Sequence, residues 1–114
     1  TEEDLLIAAT EIGVYDTARL AYEYGGVAIP AHIDRDGNGL ISTLGAIEKD
    51  MNFPTVEFSP TAGEDFKKRY IDEGYGFIRN SDAHRLESIS ERENFIELDK
   101  LTPEAIIALL SGKR

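Results

Sequence analysis

Residues 55–78 read TVEFSPTAGEDFKKRYIDEGYGFI, and in this stretch two short runs of β-forming residues flank a polar segment with helical spacing. The predicted strands run from Thr55 to Phe58 and from Gly76 to Arg79. Between them, Thr61-Ala62-Gly63-Glu64 has the pattern of a capping box that opens a helix, and Gly74 is its predicted end. A strand, a helix and a second strand in this order predict a right-handed crossover between parallel strands.

The same alternation continues on both sides of this unit. Upstream, a helical pattern from Val14 to Tyr24 ends at Gly25-Gly26, and the apolar run from Val27 to Ala31 predicts a strand. Downstream, a strand is predicted from Phe95 to Leu98. Thr102 and Pro103 then supply a cap and a first-turn proline for a helix from Glu104 to Leu110. The predicted fold is α/β, with a mainly parallel sheet of four strands and alternating helices.

Composition limits the classes of function. The 114 residues are enough for a single unit, 1–114, and the net charge of −10 disfavours nucleic acid as a partner. No apolar run near the N-terminus is longer than Leu5 to Ala9, so we expect a soluble, cytosolic protein with no membrane partner. The chain has no cysteine, so a metal has to be held by histidine, carboxylates and water.

Candidate metal ligands follow the predicted strands. His32 comes directly after the run Val27 to Ala31, while Asp82 and His84 follow the strand that ends at Arg79. Because the carboxyl ends of parallel strands meet at one edge of a sheet, we expect these three side chains on one face, around a shallow, acidic pocket. A mixture of imidazole and carboxylate ligands suits Zn, Mn or Fe.

The residues 25–35, GGVAIPAHIDR, and 80–85, NSDAHR, resemble the last two metal-binding motifs of the PHP (polymerase and histidinol phosphatase) superfamily. The resemblance covers the chain from about Val14 onward, and Thr1 to Glu11 contributes nothing to it. It implies a distorted (β/α)7 barrel that hydrolyses phosphate esters with divalent metals: Zn, Mn, Fe or Mg. By the same resemblance, His32, Asp82 and His84 are metal ligands. Arg35 and Arg85 are candidate catalytic residues that contact the phosphate of a small ester substrate, with a surface ion pair as the alternative for each.

The family's ligand set is only partly present. The family opens with a His-x-His motif, and no histidine precedes His32 in this chain. The resemblance also implies that the three ligands are divided among different metals of a cluster. We therefore expect the C-terminal half of such a domain, with the N-terminal half as its partner and with little metal binding or activity of its own. Unpaired strand edges add a homodimer as a further expectation.

Two other interpretations stay open. The residues from Asp34 to Ser42 resemble the start of an EF-hand calcium loop, but the twelfth position is Gly45, where the calcium loop has a bidentate Glu. The second alternative is a non-catalytic α/β binding or regulatory module that has kept the fold.

Overall fold

The computed structural model of the chain describes residues 10–112, and the run Leu5 to Ala9 lies outside them. The described helices are α1 (Val14–Glu23), α2 (Leu40–Leu44), α3 (Glu64–Asp72) and α4 (Pro103–Leu110), and the strands are β1 (Thr55–Phe58) and β2 (Gly76–Arg79). Short 3-10 helices cover Lys49–Met51 and Leu86–Ser88. No helix in this part of the chain combines the length and the apolar character needed to cross a bilayer.

The strands β1 and β2 form a parallel pair joined through α3, which confirms the predicted strand–helix–strand unit. Thr55 is paired with Gly76, and Phe58 with Arg79. The predicted capping box is wrong, because α3 begins after Gly63 and the Thr61 hydroxyl lies 3.2 Å from that of Ser59. At the other end Gly74 has a φ of 94°, the left-handed conformation that glycine adopts without strain and that ends the helix as predicted.

The predicted strand from Val27 to Ala31 is not a regular strand, although its end lies alongside β1. Glu57 donates its N–H to the carbonyl of Pro30 at 3.0 Å, and its own carbonyl accepts the N–H of Ile33 at 2.9 Å. A regular parallel ladder would use the N–H of residue 32. His32 has a φ of 31°, so one extra residue is inserted and the ladder is interrupted. Pro30 has no N–H to donate, which weakens the pairing further.

The predicted strand from Phe95 to Leu98 is also wrong. Within the described residues, this segment has no backbone hydrogen bond to the open edge of β2. A cavity of about 470 Å³ lies between them and is lined by Phe77 and Phe95, among others. The nearest link is made by side chains, since Arg79 donates its Nε–H to Oδ1 of Asn94 at 3.0 Å. The segment is therefore linked to β2 by a side-chain hydrogen bond and not by strand pairing.

The helices α1 and α4 confirm the predicted flanking helices. In α4 the Thr102 hydroxyl accepts the N–H of Ala105 at 3.1 Å, as expected of an N-cap. The hydrophobic core is centred on β1, where Val56 and Phe58 are fully buried. Ile33 and Tyr70 pack against them, so the core joins the loop after residue 31 to α3. This packing supports the ends of both strands, where the candidate ligands lie.

Candidate functional site

All five predicted site residues line one pocket at the carboxyl ends of β1 and β2. The pocket has a volume of about 390 Å³ and is lined by His32, Arg35, Asp82, His84 and Arg85. His32 and Arg35 come from the loop beside β1, and the other three come from the loop after β2. The expectation that the three candidate ligands share one face is confirmed.

The expected acidic character of the pocket is wrong. Asp82 is the one carboxylate among its lining residues, beside the two arginines and two histidines named above. Arg35 donates to Oδ2 of Asp82 at 2.8 Å, so part of the positive charge is neutralised inside the pocket. A chain of net charge −10 thus presents a locally cationic cavity, which favours an anion.

Two of the candidate ligands have unusual backbone conformations. His32 and Asp82 have positive φ values of 31° and 51°. Residues other than glycine seldom adopt this region, and such residues cluster at functional sites, where the surrounding structure holds them. Histidine and aspartate adopt this region more often than most other residues, so the conformational cost at these two positions is modest.

The hydrogen bond of His84 orients its ring. Nδ1 of His84 lies 2.7 Å from the carbonyl oxygen of Asp82. A carbonyl can only accept, so Nδ1 carries the proton, and in the neutral ring Nε2 keeps its lone pair. Ligating histidines usually have this arrangement, in which the second ring nitrogen donates to a carbonyl or a carboxylate.

His32 contributes a second imidazole from the opposite wall. Its side chain is 12% exposed, and Nε2 lies 3.9 Å from Oδ2 of Asp82. Its Nδ1 is buried and has no hydrogen-bond partner among residues 10–112. A buried ring nitrogen without a partner is costly unless a ligand satisfies it, so the donor chemistry of His32 fits a metal.

The geometry does not gather the three donors around one ion. Among residues 10–112, no group of three or more histidine, aspartate or glutamate side chains is arranged so that it could hold a metal. The carboxylate of Asp82 forms an ion pair with Arg35, and His84 is exposed. The residues fit a divalent metal as separate donors and do not form a closed three-ligand set.

The loop that resembles an EF-hand has another structural use. Oδ1 of Asp34 accepts the backbone N–H of Ser59 at 2.7 Å, and Oδ2 accepts the Ser59 hydroxyl. The Ser42 hydroxyl is bonded to the backbone of Gly39. Burial alone would raise the pKa of Asp34, but the hydrogen bonds from Ser59, together with its own backbone N–H and the nearby His32, outweigh burial and hold that pKa below its ordinary value. Asp34 therefore anchors the loop to the end of β1.

Replacing Asp34 with alanine is expected to destabilise the fold by about 1.5–3 kcal/mol, because the buried Ser59 N–H and hydroxyl lose a charged acceptor. Urea denaturation followed by circular dichroism measures the change. Asp36→Ala, at an exposed position of the same loop, is the matched control and should alter stability little. Equal stability of the two variants would refute the anchoring role.

Glu57 lies outside both motifs, and Asn80, the first residue of the motif 80–85, was given no role in the site. Oε2 of Glu57 accepts the side-chain N–H of Asn80 at 2.8 Å, directly behind the loop that carries Asp82. The sequence did contain a sign of this role. Glu57 is a charged residue inside a short strand, with the apolar Val56 and Phe58 on either side. A carboxylate in that position requires partners, and periodicity alone does not identify them.

Comparison with family models, with curated proteins and with solved structures finds no match to this chain.

Proposed function

We propose that this pocket is part of a metal-dependent phosphoesterase site, in a protein that hydrolyses phosphate esters. The observation that carries the proposal is the convergence of His32, Asp82, His84, Arg35 and Arg85 on one cavity. These residues come from two loops about 50 positions apart along the chain. Metal-type donors and cationic side chains in one cavity are what hydrolysis of a phosphate ester needs.

The residues divide into two roles in this proposal. His32, Asp82 and His84 are the donors for divalent metals, with Zn, Mn, Fe or Mg as candidates. The chemistry that such metals supply at a phosphoesterase site is activation of water and neutralisation of phosphoryl charge. Arg35 and Arg85 bind the phosphate oxygens of a small ester, because a guanidinium can donate two parallel hydrogen bonds to one phosphate.

The resemblance of residues 25–35 and 80–85 to PHP motifs supports the same function. We further propose that β1, β2 and the segment beside them belong to a PHP-type distorted barrel. Three donors shared over several metals are too few for a catalytic set, which usually has about three protein ligands for one metal. The remaining donors are proposed to come from an N-terminal half of the same domain.

The pairing of Arg35 with Asp82 favours a second candidate, a non-catalytic module that binds anions. Arg35 lies 2.8 Å from Oδ2 of Asp82, and a metal at that oxygen would compete with the guanidinium. If the pair persists in the intact protein, the pocket would bind phosphate without hydrolysing its esters. Measured turnover distinguishes the two candidates.

Hydrolysis of a generic phosphate ester tests the proposal when it is measured with Zn, Mn and Mg on the 114-residue chain and on the full-length parent, which means here a protein that also carries the proposed N-terminal half. The chain alone is expected to turn over poorly or not at all, and the parent is expected to turn over clearly. Calorimetric metal titration of both proteins is the companion measurement, with weak binding expected for the chain. Phosphate binding without turnover in the parent would favour the non-catalytic module. Clear turnover and stoichiometric metal in the chain alone would contradict the idea that its ligand set is incomplete.

A further inference from the structure

The carboxylate of Glu57 bridges the two loops that carry the candidate metal ligands. Oε1 accepts the backbone N–H of His32 at 3.0 Å, and Oε2 accepts the side-chain N–H of Asn80 at 2.8 Å. These partners lie 25 and 23 positions away from Glu57 along the chain. One side chain on β1 therefore reaches the two walls of the pocket.

The bond to His32 compensates for the irregular backbone described above. The ladder bond that would use the N–H of His32 is made by Ile33, because His32 has a positive φ. Without Glu57 the N–H of His32 would have no partner beside a half-buried side chain, and an unpaired backbone donor of this kind is unfavourable. The carboxylate stabilises the conformation that turns His32 into the pocket.

The bond to Asn80 acts on the opposite wall. Asn80 is the first residue after β2, and Asp82 follows two positions later with its own positive φ. Fixing Asn80 fixes the point from which this loop departs. Hydrogen bonds to an ionised carboxylate are roughly twice as strong as those between neutral groups, so the bridge is suited to hold both loops.

We propose that Glu57 is a positioning residue, whose carboxylate holds the His32 loop and the Asn80–Arg85 loop in fixed relation across the pocket. The catalytic meaning of this role rests on the proposed function, whereas the bridging itself does not. Glu57 does not line the pocket, so it acts through the loops and not on a substrate.

Two substitutions of Glu57 test whether its hydrogen bonds, and not merely the presence of a side chain, hold the loops. Glu57→Ala removes both hydrogen bonds. Glu57→Gln keeps an oxygen for the N–H of His32, and its amide can still pair with Asn80 after that side chain turns over. Glu64, whose side chain is 90% exposed in an ion pair with Lys67, gives the matched control Glu64→Ala.

Native-state amide hydrogen exchange of the four proteins is the test. In Glu57→Ala, exchange should rise at least about tenfold at the two N–H groups that lose the carboxylate, the backbone N–H of His32 and the side-chain N–H of Asn80, while α1 and α4 keep their protection. Glu57→Gln and the control should remain close to the wild-type chain. The inference is overturned if neither N–H group, or only one, exchanges faster, or if the whole chain does so equally.

Measuring the turnover of the full-length parent together with hydrogen exchange distinguishes a failure of this inference from a failure of the proposed function. If the parent is active, Glu57→Ala should lower turnover and Glu57→Gln should restore it. Faster exchange of both N–H groups in a parent without activity would support the bridge and reject the phosphoesterase. An active parent whose Glu57→Ala variant keeps wild-type exchange would reject the bridge alone.

Discussion

Replacing Phe58 with alanine is expected to remove most of the stability of the fold. Phe58 is fully buried, and its ring contacts those of Phe66, Tyr70 and Phe77 at centroid distances of 6.1, 6.5 and 5.7 Å. Truncating a buried phenylalanine costs about 3–5 kcal/mol, because the transfer free energy is lost and a cavity remains. Small domains have a total stability of about 5–15 kcal/mol, and a core of this size belongs near the low end.

Urea denaturation followed by far-ultraviolet circular dichroism and by tyrosine fluorescence measures this loss. Phe95→Ala is the matched control, since the same change is made at a side chain that is 83% exposed and should cost little. Phe58→Leu gives an intermediate variant if the alanine variant is unfolded without urea. Equal midpoints for Phe58→Ala and Phe95→Ala would contradict the assignment of the core to β1.

The unit from β1 to β2 could be predicted because its information is local. Thr55–Phe58 and Gly76–Arg79 carry β-forming residues, and the positive φ of Gly74 is the conformation expected at the end of a helix. The gathering of His32 and Asp82 also followed from a general rule, since Asp82 comes after the end of β2 and His32 comes after a segment whose end lies alongside β1. The short segments that predicted the strands therefore also predicted where the site lies.

The failures arose where non-local contacts decide the structure. The segment from Val27 to Ala31 has an apolar pattern, but the backbone of His32 moves a ladder bond by one residue. Phe95 to Leu98 is not paired with any strand of the described part of the chain, and no local pattern reveals this. The predicted acidic character of the pocket was wrong because the net charge describes the chain as a whole, whereas Arg35 and Arg85 lie together in one cavity.

The largest expected functional effect is that of Asp82→Asn in the full-length parent protein. Asparagine tolerates the positive φ of this position and can still accept a hydrogen bond from Arg35, so the fold is retained. The amide is a much weaker donor to a divalent metal than the carboxylate. Because metals contribute several kcal/mol to catalysis, turnover should fall at least about a hundredfold. Unchanged turnover would remove Asp82 from the metal site.

The chain contains two histidines, which makes the central claim directly measurable. Two-dimensional ¹⁵N–¹H spectra of the imidazole rings follow His32 and His84 separately while Zn²⁺ is added. The His32→Ala and His84→Ala variants assign the two sets of signals, both in the chain and among the further histidines expected in the full-length parent. The proposal predicts that both rings respond to Zn²⁺, weakly in the 114-residue chain and at stoichiometric metal in the full-length parent, and that Asp82→Asn weakens the response. If neither ring responds in the full-length parent, the pocket is not a metal site and the proposed function is wrong.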